Sequence, residues 1–160
     1  MTSMEQKPPL TEKLRWLLIV TAIGSSIPMY GVVAMVVGNA REQPPDPSAA
    51  GLVRPLLYVV ALVAIAAGLY WMPRVAAGTP RSSLPPPQAF AVASMIALAL
   101  LEAGALVGFV LFFLTGRVAD FAVLAGASLA GLLLYAVPQG LRYFAAREGG
   151  DGAAQPLSPG

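Results

Sequence analysis

Apolar residues fall along the chain in four long runs, at about residues 16–37, 55–72, 89–114 and 118–137. Each is near the roughly 20 residues that a helix needs to cross the hydrocarbon core of a bilayer. The segments between them break helices. Residues 38–51 contain Pro44, Pro45 and Pro47, and residues 73–88 contain Pro80 and the triple Pro85, Pro86 and Pro87. The third connection, Thr115-Gly116-Arg117, is a tight turn and predicts that helices three and four are antiparallel neighbours. The pattern predicts an all-α polytopic membrane protein with its four helices arranged as two hairpins. A cytoplasmic segment over residues 1–15 leads into a transmembrane domain over residues 16–144. Residues 145–160, rich in Gly, Pro, Ala and Ser, are expected to be a disordered tail.

Aromatic residues refine the helix ends. Trp16, Tyr58, Tyr70, Trp71, Phe90 and Tyr135 lie near predicted termini, where an interfacial belt places such rings. Tyr30 stands apart, well inside helix one. The first run is read as a retained helix rather than a cleaved signal, because its apolar length is about 22 residues against roughly 7–15 for a signal core.

Lys and Arg set the orientation. Lys7, Lys13, Arg15, Arg74, Arg81, Arg142 and Arg147 fall on one side, and Arg41, Arg54 and Arg117 on the other, diluted by Glu42, Asp46 and Asp120. The positive-inside rule then places both termini in the cytoplasm.

Composition agrees with the membrane assignment. The 160 residues are 57% hydrophobic and 11% charged, with mean hydropathy +0.71, too few charges to cover a soluble domain. The surplus apolar surface faces lipid, so the bilayer is the first partner. There is no cysteine and no histidine. That removes disulfides, thiolate or imidazole metal sites, and every catalytic dyad or triad built on those side chains. No cofactor is expected and no catalytic residue stands out. The net charge of +2 is too small to point to nucleic acid.

Two similarities point to an internal repeat. Gly31-Val32-Val33-Ala34-Met35-Val36-Val37 lies over Gly108-Phe109-Val110-Leu111-Phe112-Phe113-Leu114 at an offset of 77, which sets Ser25 on Glu102. Helices two and four end in Leu69-Tyr70-Trp71-Met72-Pro73 and Leu134-Tyr135-Ala136-Val137-Pro138. A pair of helical hairpins in parallel repeat would produce both matches. So would shared composition.

Glu102 is the candidate for chemistry. It sits near the middle of the third run, and no other charge lies at comparable depth. An ionised side chain there costs about 2.5–3.5 kcal/mol on insertion scales. Desolvation therefore favours its neutral form. Its partners are expected among hydroxyls: Ser25, Ser26 and Thr21 on helix one, or Ser94 and Ser128. Ala93, Ala97, Gly104 and Gly108 form a small-residue seam on a face of helix three turned away from Glu102. Glu102 is thus expected to face another helix surface, lipid or a partner subunit. Ala122, Gly126 and Ala130 form a second small-residue ladder on helix four, suited to packing within the chain or between copies. Pro28, inside helix one, is expected to serve packing.

The stretch Met95-Ile96-Ala97-Leu98-Ala99-Leu100-Leu101-Glu102-Ala103-Gly104-Ala105-Leu106-Val107-Gly108-Phe109-Val110 resembles the carboxylate-bearing helix of the proteolipid (c) subunit of rotary ATP synthases. The resemblance implies that Glu102 carries a proton or sodium ion and that copies of the chain form a ring. It covers about 20 residues. In that family the carboxylate lies on the second helix of a hairpin, whereas Glu102 is on the first helix of its own. The chain also resembles small bacterial four-helix membrane proteins with an acidic third helix, which implies residence in a bacterial inner membrane.

Two functions remain open at this point. One is an ion- or proton-handling subunit with Glu102 as the titrating group. The other is a non-catalytic accessory or assembly subunit, associated with copies of itself or other membrane proteins, in which Glu102 is a neutral packing contact.

Overall fold

The computed structural model describes residues 12–40, 51–76 and 86–153. Residues 1–11, 41–50, 77–85 and 154–160, with Lys7, Arg41 and Arg81, lie outside them. Helix α1 spans Glu12–Ala40, α2 Val53–Ala76, α3 Pro86–Thr115 and α4 Val118–Gly131. A π-helical turn over Leu132–Ala136 joins α4 to α5, Val137–Ala153, so the last three segments form one continuous rod. Four helical stretches are long and apolar enough to span a membrane: Glu12–Ala40, Val53–Arg74, Gln88–Thr115 and Val118–Arg147. The protein is an all-α, multi-pass membrane protein.

The helices outrun the apolar runs because hydropathy reports the hydrocarbon core, whereas a helix continues into the interface. Proline does not stop them. α1 passes through Pro28, whose missing N–H leaves the Gly24 carbonyl without its helical donor. Pro138 follows the π-helical turn, where i→i+5 bonding has already displaced the regular ladder, and the helix continues to Ala153. The start of the expected tail, residues 145–153, is therefore helical. α3 ends at Gly116, whose φ of 69° is the left-handed conformation that glycine adopts without a Cβ penalty. Its N–H donates to the Phe112 carbonyl at 2.8 Å, closing the turn into α4.

α3 is the hub. Of its most apolar stretch 44% is buried, against 17% for α1, and it packs on α1, α2 and α4. α2 has its main interface with α3, and α1 rests on α3 and α4. The predicted seam explains why α3 can serve three neighbours. Ala97, Gly104 and Gly108 are buried on it, with Ala93 partly buried. A Cβ on Gly104 would come within 2.5 Å of Ile65 Cγ1 and 2.7 Å of Ser128 Oγ, so the missing side chain is what lets α2 and α4 approach. On Gly108 it would meet Leu124 Cβ at 2.9 Å. The Ala122, Gly126 and Ala130 ladder is different: all three are exposed, and a Cβ at Gly126 would meet nothing within 4 Å. Among the described residues, nothing packs on that ladder.

The aromatic belt needs correction at its N-terminal members. Trp16 and Phe90 are 1% and 2% exposed and pack with Phe144. Phe90 stacks on Tyr143 with ring centroids 3.8 Å apart. Trp16 Nε1 donates to Ser94 Oγ at 3.0 Å, satisfying an indole that burial would otherwise strand. Tyr70 and Trp71 do face outward, and Arg74 lies over the Tyr70 ring at 3.9 Å.

Candidate functional site

Glu102, partly buried near the middle of α3, faces α1. Two hydroxyls of α1 donate to its Oε1: Ser26 Oγ at 2.6 Å and Tyr30 Oη at 2.9 Å. Ser26 and Tyr30 are four residues apart, so helical geometry stacks them on one face. The Tyr30 ring is held by Phe109, with centroids 5.4 Å apart, which fixes where its hydroxyl points. Of the three options for Glu102 (a helix surface, lipid, or another subunit), the structure presents a helix surface.

Ser25 is not the partner. Its hydroxyl donates to the Ala22 carbonyl at 2.9 Å and the residue is exposed. The repeat alignment missed the contact by one position, and one position is about 100° of helical rotation. Of the other hydroxyls, Ser94 accepts from Trp16. Ser128 Oγ is buried between α2, α3 and α4, and among the described residues it has no hydrogen-bond partner.

Proton counting limits what the Glu102 cluster can be. Ser26 Oγ lies 2.6 Å from Glu102 Oε1 and also 2.6 Å from the Ile23 carbonyl oxygen. A hydroxyl has one hydrogen, and both neighbours accept. If Glu102 is protonated, it donates to Ser26, which passes its own hydrogen to Ile23, and every contact is satisfied. If Glu102 is ionised, Ser26 turns its hydrogen to the carboxylate and releases Ile23. The same side chains serve both states through rotation of one hydroxyl.

A second polar cluster, absent from the sequence-based expectations, sits where α2 and α4 begin. Arg54 donates through Nε to Asp120 Oδ2 at 3.0 Å and through Nη2 to Oδ1 at 2.8 Å. Tyr58 Oη donates to Oδ1 at 2.9 Å. Thr115 Oγ1 gives its hydrogen to the Leu111 carbonyl at 2.8 Å and lies 3.5 Å from Asp120 Oδ2. Asp120 is 2% exposed, whereas 39% of the Arg54 side chain is exposed. The arrangement is a clamp that ties α2 to α4 beside the α3–α4 turn. Its signal was available: Arg54 and Asp120 each fall in the first turn of a helix starting from the same membrane side.

Neither cluster has the composition of a metal site. Among the described residues, no three acidic side chains come together. The chemistry on offer is proton binding and hydrogen bonding at Glu102. No known protein family, curated protein or solved structure matches the chain.

Proposed function

We propose that this protein is a proton-handling membrane component in which Glu102 binds and releases a proton. The observation that carries the proposal is the position of Ser26 Oγ, equally close to Glu102 and to the Ile23 carbonyl. A carboxyl meant only to stay neutral needs one stable partner. This one has a hydroxyl that donates to the ionised form and accepts from the protonated form, plus Tyr30 donating in both. The likeness of residues 95–110 to a proteolipid carboxylate helix agrees with it, and the exposed Ala122, Gly126 and Ala130 face is available for contact with further copies or other subunits. The positive-inside pattern places both termini in the cytoplasm, and the likeness to small bacterial four-helix membrane proteins supports residence in a bacterial inner membrane.

The test is pH-difference infrared spectroscopy on reconstituted protein, together with pH-dependent reaction of Glu102 with a hydrophobic carbodiimide. A protonated-carboxyl band that fades as pH rises, and is missing from Glu102→Gln, is expected. A Glu102 that does not titrate while the fold survives would overturn the proposal.

One observation favours a second reading. The Ser26 and Tyr30 bonds tie α1, the least enclosed helix, to the hub, as an assembly subunit with a neutral packing contact would require. In that case Glu102→Gln, whose amide keeps both bonding modes, is silent in every functional assay, and Glu102→Leu detaches α1.

A further inference from the structure

We propose that Glu102 exchanges its proton with one side of the membrane, the side that carries the N-terminus of α1, through a cleft along the α1–α3 seam. This rests on the proton-handling reading and adds direction to it. A cleft of about 190 Å³, room for several waters, opens between the first turns of α1 and α3. Glu12, Arg15 and Gln88 make its mouth polar, and Ile19 and Met95 line it further along the two helices.

Helical spacing connects this cleft to the carboxyl. At about 100° per residue, Glu12, Arg15, Ile19, Ser26 and Tyr30 fall within a stripe of about 60° on α1. Gln88, Ala91, Met95 and Glu102 fall within a similar stripe on α3. Ile19 precedes Ser26, and Met95 precedes Glu102, by seven residues, or about 10 Å of rise. Across that interval Ile23 and Leu98 pack in the core on the inner side of the seam, while Ala22 and Ala99 occupy its outer edge, both exposed. Their methyl groups are too short to close it. At the inner end Glu102 Oε2 has no hydrogen-bond partner among the described residues, so it can receive a water.

Past Glu102 the same stripe is filled with rings. Tyr30 packs on Phe109, and Phe109 on Phe113 with centroids 4.8 Å apart. Two alanines at the outer edge on one side of the carboxyl, and stacked rings on the other, point access toward the N-terminal side of α1.

The chain has no cysteine, so single-cysteine variants report on access without background. Ile19→Cys, Ala22→Cys and Ala99→Cys are compared with Val33→Cys and Leu106→Cys, whose native side chains are as exposed as a lipid-facing residue but lie beyond the carboxyl, at 41% and 42%. Each variant, in proteoliposomes of known orientation, meets a charged, membrane-impermeant methanethiosulfonate from one side at a time. The first three are expected to lose their free thiol to reagent on the N-terminal side and to keep it against reagent on the other. Val33→Cys and Leu106→Cys are expected to resist from both sides. Resistance of Ala22→Cys and Ala99→Cys equal to that of Val33→Cys, or their labelling from the opposite side, would overturn the route. Carbodiimide reaction at Glu102 is scored separately in wild-type protein and bears on proton handling alone, so the two proposals fail independently.

Discussion

Arg54 grips both carboxylate oxygens of Asp120 across 66 residues of chain, with Nε and Nη2 in the parallel, two-bond geometry that a guanidinium offers. The pair is lopsided in exposure: the carboxylate is buried and the guanidinium is open to its surroundings. Its two partners are therefore not equivalent on removal.

Arg54→Ala leaves Asp120 buried with Tyr58 as its sole strong donor, whereas Asp120→Asn leaves an exposed cation and an amide that still accepts from Tyr58. Arg54→Ala is accordingly expected to lower the melting temperature in detergent more than Asp120→Asn does. Arg54→Lys keeps the charge but loses the fork, and falls between wild type and Arg54→Ala. Circular dichroism melts of the purified variants order the three. Equal melting temperatures for wild type and Arg54→Ala would show that the clamp contributes nothing.

At Glu102 the two hydroxyls divide the work. Tyr30→Phe and Ser26→Ala each remove one interhelical hydrogen bond, expected to cost about 0.5–2 kcal/mol. Ser26 also bonds the Ile23 carbonyl of its own helix, so Ser26→Ala removes two contacts and Tyr30→Phe one. Detergent melts of both variants against wild type read the cost, and unchanged melting in both would mean that the hydroxyls at Glu102 do not hold α1 to α3.

Gly104 and Gly126 make a matched pair of substitutions. Gly104→Ala forces a methyl group against Ile65 and Ser128 and is expected to destabilise by about 1–3 kcal/mol through overpacking. Gly126→Ala projects into open space and gains helix propensity, up to about 1 kcal/mol. Unfolding titrations in mixed micelles read both. If Gly126→Ala destabilised as much as Gly104→Ala, the exposed ladder would have a partner that the isolated chain does not show.

A fourth substitution tests the aromatic end cluster. A Cβ on Gly140 would collide with the Trp16 indole ring. Gly140→Ala is expected to displace that ring and with it the bond to Ser94. In a Trp71→Phe background, Trp16 is the sole tryptophan, and its emission is expected to shift to the red when Gly140→Ala is added. An unchanged spectrum would mean that α5 moves instead.

The helices were legible in the sequence because hydropathy over a span is a sum, and a sum tolerates local errors. Glu102 stands out in the sequence because charges at that depth are rare. Its partner does not. Choosing between Ser25 and Ser26 requires knowing which face of α1 turns to α3, and α1, apolar all round, carries no amphipathic signal to set its rotation. Ser26 and Tyr30 together mark a polar stripe four residues apart, and that spacing was the available clue. The Arg54–Asp120 clamp is hidden for a different reason: charges near helix ends read first as orientation signals, and a pair 66 residues apart has no local spacing to mark it. Trp16 was misplaced because its distance along the helix suits a belt, while its burial depends on Gly140, on a helix 124 residues away.

The hub position of α3 also fixes the order in which the protein can be built. α1 and α2 enter the bilayer first, with little contact between them. Until the third helix emerges from the ribosome, Ser26 and Tyr30 have no carboxyl to bond and α2 lacks its main interface. The first half of the chain is a pair of solitary spans waiting in lipid; α3 brings their first large interfaces, and the last rod then adds the Asp120 clamp and the rings around Trp16. A nascent chain stalled after Ala76 is therefore inserted but unassembled.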